Sequence, residues 1–305
     1  MKIAILGAGA MGSVYAGLLG DAGNEIWAVD TWKAHIDGIR TSGLRVEGAS
    51  GDRVVKINAT TNPADVGIVD LVIIATKAMH VEAAALSARA LVGPDTTVLT
   101  IQNGLGSAEK VAKVLGKETV TIGVAGGFGA SIQAPGHVHH NGWELIRLGE
   151  MDRPVTSRLE RVADVWRKAG FNVRTYDDID QLIWEKLICN VCYSGPCAVL
   201  GWTIGEVIHD EKAWKVASGC ALEAFQVARA RGITLDIDDA VQYVRDFGLE
   251  ISNARPSVLL DLTAGRKSEI DVINGAIPPA AREVNLTAPY NEVITALVKA
   301  KESRL

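Results

Sequence analysis

The chain opens with a short apolar segment, a glycine-rich turn and a helical pattern, in that order. Lys2–Leu6 is brief and apolar, which predicts a buried β-strand. The turn Gly7-Ala8-Gly9-Ala10-Met11-Gly12 follows directly, and Ala10–Ala22 has the pattern of a helix. A G-x-G-x-x-G turn between a strand and a helix is typical of a dinucleotide-binding βαβ unit. The feature therefore predicts a parallel α/β fold at this end of the chain.

Each glycine of the turn has a physical reason to be there. Gly7 permits the tight turn, Gly9 lets the backbone approach a pyrophosphate, and Gly12 lets the helix pack closely on the strand. The backbone N–H groups at Ala10 and Met11 open the helix, where the positive end of its dipole attracts phosphate. A purely structural glycine-rich turn is the weaker alternative.

An acidic residue follows the second predicted strand, Glu25–Val29. Asp30 can accept hydrogen bonds from the adenosine ribose and would repel a 2′-phosphate. Thr31 and Trp32 follow it, with no arginine to bind that phosphate, which favours NAD. Lys33 could partly neutralise a phosphate, so NADP stays open as a cofactor. An ordinary turn aspartate is the alternative interpretation of Asp30.

The two parts of the chain differ in their periodicity. Strand-like runs alternate with helical stretches in the first part, which predicts βαβ units; the further strands are Leu71–Ala75, Thr97–Ile101 and Val120–Val124, and the helices between them are Val81–Leu91 and Ala108–Leu115. The second part has helical spacing throughout, at Asp178–Leu200, Glu211–Arg231, Ala240–Leu249, Glu269–Val284 and Asn291–Ala300. We expect an α/β protein with a doubly wound parallel Rossmann sheet in a domain over residues 1–176 and an all-helical domain over residues 177–305.

Composition excludes several classes of protein. The 305 residues are 48% hydrophobic, enough for a sizeable core, and the net charge of −5 argues against a nucleic-acid partner. We find no apolar run long enough to span a bilayer, and glycines interrupt the apolar start where a signal peptide would continue. Four cysteines are too few for a disulfide scaffold. These features predict a cytoplasmic protein without a membrane partner.

Four blocks of residues give the chain a recognisable family pattern. They are Lys2–Gly12; Thr76-Lys77 with Gln102-Asn103-Gly104; Trp184–Asn190; and Ser257–Asp261 followed by Glu269–Gly275. In this order and spacing the chain resembles the ketopantoate reductase (2-dehydropantoate 2-reductase) family of pantothenate biosynthesis over nearly its full length. The resemblance implies a two-domain oxidoreductase with a cleft between the domains. It also implies reversible hydride transfer between a nicotinamide and a 2-oxo acid.

The resemblance further implies roles for individual residues. Lys186 would be the general acid, and Glu269 would help to hold it and the substrate. The expected substrate contacts are Asn190, Ser257 for the carboxylate, Asn103, and Ser194 at a position where the family usually has a second asparagine; Lys77 and Asn103 are expected near the nicotinamide.

Elementary chemistry is compatible with these roles but leaves alternatives open. An ammonium group can stabilise the charge that develops on a reduced carbonyl oxygen and then donate a proton to it. Lys186 and Asn190 share one helix face because they are four residues apart. On sequence alone, Lys186 could be a solvated helix residue, Asn190 a packing group and Glu269 a surface residue. Ser257 follows Pro256 and could equally be a helix N-cap.

Two departures from the family pattern concern the substrate. Ser194 and Ile204 stand where the family commonly has asparagines. A pocket without these amides would favour a more apolar 2-oxo acid than ketopantoate, which carries a hydroxyl. The alternatives are therefore an NAD-dependent D-2-hydroxy acid dehydrogenase of the same fold, acting on another branched 2-oxo acid, and a catalytically inactive dinucleotide-binding regulator.

Two further clusters could suggest a metal, but neither is expected to bind one. His137, His139 and His140 lie in a predicted hairpin, and we see no carboxylate or thiol close in sequence to complete a ligand set. Cys189 and Cys192 form a single C-x-x-C within a helical pattern, where core packing is the simpler interpretation. The resemblance is also compatible with a homodimer.

Overall fold

The chain forms two compact units. The computed structural model describes residues 1–127, 129–142 and 145–305. One unit contains residues 1–102 and 106–179, and the other contains residues 103–105 and 180–305. The sequence-based boundary between residues 176 and 177 stays a prediction.

The first unit is built on an eight-stranded sheet. Its strands in chain order are β1 (Lys2–Leu6), β2 (Glu25–Val29), β5 (Asn58–Thr60), β6 (Leu71–Ile74), β7 (Thr97–Thr100), β8 (Val120–Gly126), β11 (Leu145–Glu150) and β12 (Val173–Tyr176). Across the sheet their order is β12-β11-β8-β7-β6-β1-β2-β5. Neighbouring strands are parallel except β8 and β11, which pair antiparallel. The predicted α/β class is confirmed.

The central strands are apolar because helices cover the sheet. β6 is buried along its whole length, and β1 is buried from Ile3 to Leu6. Strands that are buried on both faces need continuous apolar runs, which is why they were predictable. The helices of this unit are α1 (Ala10–Asp21), α2 (Lys33–Ser42), α3 (Val81–Ala88), α4 (Ser107–Leu115) and α5 (Ser157–Lys168).

A second, four-stranded sheet belongs to the same unit and was not predicted. It consists of β3 (Leu44–Gly48), β4 (Arg53–Val55), β9 (Gly129–Ala134) and β10 (His137–Gly142), in the order β4-β3-β10-β9. β9 and β10 form the histidine-containing hairpin, and β10 pairs parallel with β3. This four-stranded sheet packs against α1. Helix α1 therefore contacts both sheets of the unit.

The second unit is helical. Its helices are α6 (Ile179–Leu200), which begins at the last residue of the first unit, α7 (Ile204–His209), α8 (Glu211–Ala230), α9 (Ala240–Glu250), α10 (Ser257–Thr263), α11 (Ile277–Glu283) and α12 (Pro289–Glu302). A core of buried aliphatic, aromatic and cysteine side chains joins them, and the four cysteines are free and buried. Among the helices that the structure describes, none combines the length and apolar character that crossing a bilayer requires.

The continuous helix predicted over Glu269–Val284 is wrong. Two short 3₁₀ turns, Ile270–Val272 and Asn274–Ala276, precede α11 instead. Pro278 lies in the first turn of α11, where its missing N–H costs nothing. In a helix that began at Glu269, the same proline would lie in the interior and break a hydrogen bond. The apolar spacing alone did not contain this information.

Candidate functional site

The glycine turn has the geometry that a phosphate cradle needs. Gly7 has a left-handed φ of +95°, and a methyl group there would lie 2.6 Å from the backbone nitrogen of Thr76. A methyl group at Gly12 would overlap the carbonyl oxygen of Gly7, so helix and strand are in direct contact. A methyl group at Gly9 would meet nothing within 4 Å. The turn is therefore tight inside and open at Gly9.

The start of α1 is suited to an anion. Its N-cap is Gly9, no side chain caps it, and its first turn contains no acidic residue. The first N–H groups of a helix have no acceptor within it, so those of Ala10 and Met11 are available by geometry. Together with the open side at Gly9, this arrangement fits the pyrophosphate of a dinucleotide.

Asp30 is half-buried directly after β2 and takes part in a local turn. Its Oδ1 accepts a hydrogen bond of 2.9 Å from the backbone N–H of Trp32. A carboxylate can accept about four hydrogen bonds, so this turn contact leaves capacity for a ribose hydroxyl. Both sequence interpretations of Asp30 are thus compatible in one residue.

Gln102 joins the ends of two neighbouring strands. Its Nε2 donates to the carbonyl oxygens of Ile74 (2.6 Å) and Thr76 (3.2 Å). The half-buried Lys77 comes next after Thr76, and Asn103 comes next after Gln102. Sequence reasoning gave Gln102 no role, although it lies inside the Gln102-Asn103-Gly104 block. Its amide holds the peptide unit next to Lys77.

Asn103 and Lys186 are in direct contact within the helical unit. The Nζ of Lys186, in the first half of α6, donates a hydrogen bond of 2.8 Å to the Oδ1 of Asn103. Both side chains are half-buried. Asn190 is half-buried one turn further along the same helix. Two of the sequence blocks therefore meet at the ammonium group of Lys186.

The fourth block packs onto the other two. The N–H of Leu105 donates to the carbonyl oxygen of Val272 at 3.0 Å, and Gly104, with φ +80°, lies so close to that carbonyl that a side chain would overlap it. Asn274 is fully buried, and its Nδ2 donates to the carbonyl oxygen of Val191 on α6 at 2.8 Å. Residues far apart in sequence thus form one local structure that includes the segment after Asn103 and the helix α6 that carries Lys186.

Glu269 is half-buried at the start of this segment and is held there by the residue before it. Ser268 is buried, and its N–H and Oγ donate to the Oε1 of Glu302 at 2.7 and 2.6 Å. Glu302 is the last residue of α12 and is itself buried. No sequence motif marks Ser268 or Glu302, because a contact between distant segments leaves no local pattern.

The remaining predicted substrate residues lie in different surroundings. Ser257 is exposed and is the first residue of α10, while Pro256 occupies the N-cap position without a side-chain bond. The capping alternative for Ser257 is therefore wrong. Ser194 and Ile204 are each 4% exposed, in α6 and at the start of α7. Their roles toward a substrate stay predictions.

The histidine hairpin does have a carboxylate beside it. The Nε2 of His137 lies 3.2 Å from the Glu47 carboxylate, and the Nδ1 of His139 lies 3.6 Å from it. Glu47 belongs to β3, which pairs with β10, so local sequence could not reveal it. Arg45 also pairs with Glu47, at 3.0 Å. Within residues 1–127, 129–142 and 145–305, no group of three or more His, Cys, Asp or Glu residues is arranged to hold a metal ion.

Comparisons with known proteins agree along the whole chain. The family model described as ketopantoate reductase PanE/ApbA matches residues 3–153, and the model of its C-terminal part matches residues 178–302. The 2-dehydropantoate 2-reductase of Streptococcus pyogenes serotype M18 is 31% identical over 306 aligned residues, covering 100% of this chain and 99% of that protein. The corresponding protein of Pyrococcus abyssi is 34% identical over 304 aligned residues, covering 99% and 98%.

Solved structures show the same likeness. A PanE/ApbA family ketopantoate reductase from Ralstonia eutropha JMP134 superposes with a TM-score of 0.91 at 33% identity, covering 100% of this chain and 99% of that one. D-mandelate dehydrogenase, solved with NADH and anilino(oxo)acetate, superposes with a TM-score of 0.90 at 30% identity and the same coverage.

Proposed function

Because the chain belongs to the ketopantoate reductase PanE/ApbA family, we propose that it reduces the keto group of a 2-oxo acid, 2-dehydropantoate, with a nicotinamide cofactor. The observation that carries the proposal is the hydrogen bond from Lys186 to Asn103, which joins two of the four family blocks at an ammonium group. The named relatives supply the substrate class.

The reaction needs a hydride and a proton. A reduced nicotinamide, when bound, would supply the hydride that the carbonyl carbon accepts. Lys186 donates a hydrogen bond to the carbonyl oxygen, stabilises the negative charge that develops there, and transfers a proton to it to give the 2-hydroxy acid. Asn103 holds Lys186 through its Oδ1 and so restricts where the ammonium group can point. Such preorganisation lowers the cost of reaching the reactive geometry.

Other residues of the helical unit complete the proposed site. Glu269 sits on a segment anchored by Ser268 and would help to orient Lys186 and the substrate. Asn190 is on the Lys186 face of α6 and would donate its amide hydrogens to the substrate. Ser257, exposed at the start of α10, would contact the substrate carboxylate. Ser194 would line the site at its buried end.

For the cofactor we propose NAD. The glycine turn and the start of α1 fit a pyrophosphate, and Asp30 would bind the adenosine ribose while repelling a 2′-phosphate. A structural relative, D-mandelate dehydrogenase, is solved with NADH. We expect a lower KM for NADH than for NADPH, and Asp30→Asn should reduce the difference, since it removes the repelling charge. A lower KM for NADPH in the parent protein would contradict the proposal.

The proposal is tested by steady-state kinetics that cross two cofactors with a set of 2-oxo acids. NADH and NADPH are each paired with ketopantoate, ketoisovalerate, ketoisocaproate and oxaloacetate. The highest kcat/KM for ketopantoate supports the proposed substrate. If kcat/KM is highest for an apolar acid, the proposed reaction type stands but the proposed substrate does not. Ser194 and Ile204 would then be the residues expected to set the preference. No turnover with any pair would overturn it and favour a dinucleotide-binding regulator.

A homodimer and a cytoplasmic location are also part of this proposal. Size-exclusion chromatography with light scattering tests the first, with a mass of twice 32.4 kDa as the expected result. Fractionation of cells that express the full chain tests the second.

A further inference from the structure

A buried histidine beside the glycine turn has no part in the function proposed above. His35 lies on α2 and is fully buried. Its Nδ1 accepts a hydrogen bond of 3.1 Å from the backbone N–H of Gly136, in the turn between β9 and β10. A backbone N–H can only donate, so Nδ1 is unprotonated and the proton of the neutral ring is on Nε2.

The opposite nitrogen of His35 completes a directed chain of hydrogen bonds. Nε2 lies 3.0 Å from the Oγ of Ser13, and that Oγ lies 2.9 Å from the carbonyl oxygen of Ala8. The carbonyl can only accept, so the Ser13 hydroxyl donates to it and accepts from His35. Every donor in this relay has an acceptor, and the arrangement requires the neutral histidine.

The end of the relay is inside the glycine turn. Ala8 stands between Gly7 and Gly9, and its carbonyl belongs to the same planar trans peptide as the N–H of Gly9. In a trans peptide these two groups point in opposite directions. When Ser13 holds the Ala8 carbonyl, the Gly9 N–H is aimed away from Ser13, and the orientation of this N–H within the glycine turn is fixed.

His35 also supports an exposed aromatic ring. The indole of Trp32 stacks on the imidazole with centroids 4.9 Å apart and 15° between the planes. Trp32 is 41% exposed, unusual for so large an apolar side chain. Its backbone N–H is bound by Asp30, the proposed ribose ligand. The indole is therefore held two residues after Asp30, the residue proposed to bind the adenosine ribose.

We propose that His35 is a positioning residue for the dinucleotide, holding the phosphate-binding turn through Ser13 and backing the indole of Trp32, on which the adenine ring stacks. The proposal rests on the proposed function only for the presence of a dinucleotide. Stacking of a base on an aromatic ring contributes about 1–3 kcal/mol, which corresponds to roughly 5- to 150-fold in affinity.

The relay makes cofactor binding dependent on pH. A second proton on His35 would be on Nδ1, facing the N–H of Gly136, and two donors cannot bond to each other. Burial lowers the pKa of His35, and the charge of Asp30 at the end of β2 opposes that effect in part. Ser13 from α1 and the Gly136 backbone from the hairpin turn are uncharged. Affinity should therefore fall only at acidic pH, below the usual range of histidine.

The test measures the Kd of ADP-ribose for the purified full chain by titration calorimetry. ADP-ribose contains the adenine, the ribose and the pyrophosphate but cannot transfer hydride. We expect Ser13→Ala, His35→Phe and Trp32→Ala to raise its Kd about tenfold or more. Trp32→Phe keeps an aromatic ring and should raise the Kd much less than Trp32→Ala. Thr41→Ala, an exposed change on the same helix as His35, is the matched control and should leave Kd unchanged.

Two further readouts separate positioning from mere loss of structure. The Kd of the parent protein should rise toward acidic pH, whereas that of His35→Phe should be flat over the same range. The variants should raise the KM for NADH by a larger factor than they lower kcat. An unchanged Kd in Ser13→Ala and Trp32→Ala, with unfolding transitions like the parent's, would overturn the inference even if His35→Phe failed to fold.

The outcomes also distinguish this inference from the proposed function. If the parent protein binds ADP-ribose but reduces no 2-oxo acid, the proposed reaction is overturned, and the Kd values of the variants still test the role of His35. A parent protein that does not bind ADP-ribose overturns both.

Discussion

Lys186 donates a hydrogen bond of 2.8 Å to Asn103, although the two residues reach the helical unit from distant parts of the sequence. Asn103 follows strand β7 of the first unit, and Lys186 lies on α6, the first helix of the second unit. An asparagine oxygen offers an acceptor without a charge, so this bond holds the lysine in place without neutralising its ammonium group. The contact makes the two residues a structural pair, whose proposed role in catalysis can be tested.

A double-mutant cycle measures how far the contributions of Lys186 and Asn103 to kcat depend on each other. Lys186→Ala should lower kcat by about 10²–10⁴ through loss of the proton donor, whereas Asn103→Ala should cost less because only the placement of the amine is lost. The double variant should be little worse than Lys186→Ala, since residues that act as a unit are not additive. Lys215→Ala, at an exposed lysine of α8, is the control. Additive losses would show that Asn103 acts independently of Lys186.

The glycine turn gives two variants with opposite expected effects. Gly9→Ala should leave the melting temperature near that of the parent, since the added methyl group meets nothing within 4 Å, but it should weaken NADH binding by occupying the open side of the turn. Gly12→Ala should lower the melting temperature, because its methyl group overlaps the carbonyl of Gly7. Thermal unfolding and NADH titration of both proteins check this. Tight NADH binding by Gly9→Ala would place the pyrophosphate elsewhere.

Glu150 predicts how stability changes with pH and with the loss of one arginine. Its side chain is fully buried at the end of β11, where Arg158 bonds to both carboxylate oxygens, at 3.0 and 2.5 Å. Burial alone would raise the pKa of Glu150, but the bonds from Arg158 and Thr156 outweigh it, and the pKa is lowered from 4.5. A lowered carboxyl pKa contributes stability above the unfolded value, which is lost as pH falls through the folded value.

Removing the arginine should therefore be costly. Arg158→Ala leaves a buried carboxylate with Arg153 as its remaining cation, and we expect a loss of about 3 kcal/mol in the free energy of unfolding at neutral pH. Urea denaturation at pH 7 and pH 4 measures it, with a smaller difference between variant and parent at pH 4. Arg161→Ala, at an exposed position of the same helix, should change little. Equal losses for both arginines would refute the role of the pair.

The hydrogen bonds from Ser268 to Glu302 predict that a substitution at Glu302 affects catalysis through the segment that carries Glu269. Glu302→Gln weakens the acceptor for the N–H and hydroxyl of Ser268, and so loosens the segment that carries Glu269. We expect kcat/KM for the 2-oxo acid to fall about tenfold while the Kd of NADH stays near the parent value. Glu292→Gln, exposed on α12, is the control. A change in NADH affinity alone would contradict this assignment.

Sequence predicted those parts of the molecule whose signals are local. Strands β1 and β6 were recognisable because burial on both faces demands continuous apolar runs. Strands β2 and β7 are short and mostly buried, and they carry a polar residue at one or both ends. Helix α5 was missed although Leu159, Val162, Ala163 and Trp166 have helical spacing and are buried. Helix α2 has a weaker pattern, since one of its buried residues is His35, which is not apolar.

The parts that sequence could not predict depend on contacts between distant segments. Glu47 stands beside His137 only because β3 pairs with β10, and Glu302 reaches Ser268 only because α12 packs against the Glu269 segment. The family pattern identified Lys186 and Asn103 separately. Their direct hydrogen bond is information that neither composition nor spacing contains.

The membership of residues 103–105 in the helical unit has a consequence for how the protein is made. This tripeptide leaves the ribosome before any helix of the unit has been synthesised. Folding of residues 180–305 in sequence order therefore does not complete the helical unit. The unit also needs residues 103–105, which lie in the connection between β7 and α4. A gene fragment that encodes residues 180–305 alone would supply Lys186 without its acceptor, and only co-expression with the preceding part of the chain would return it.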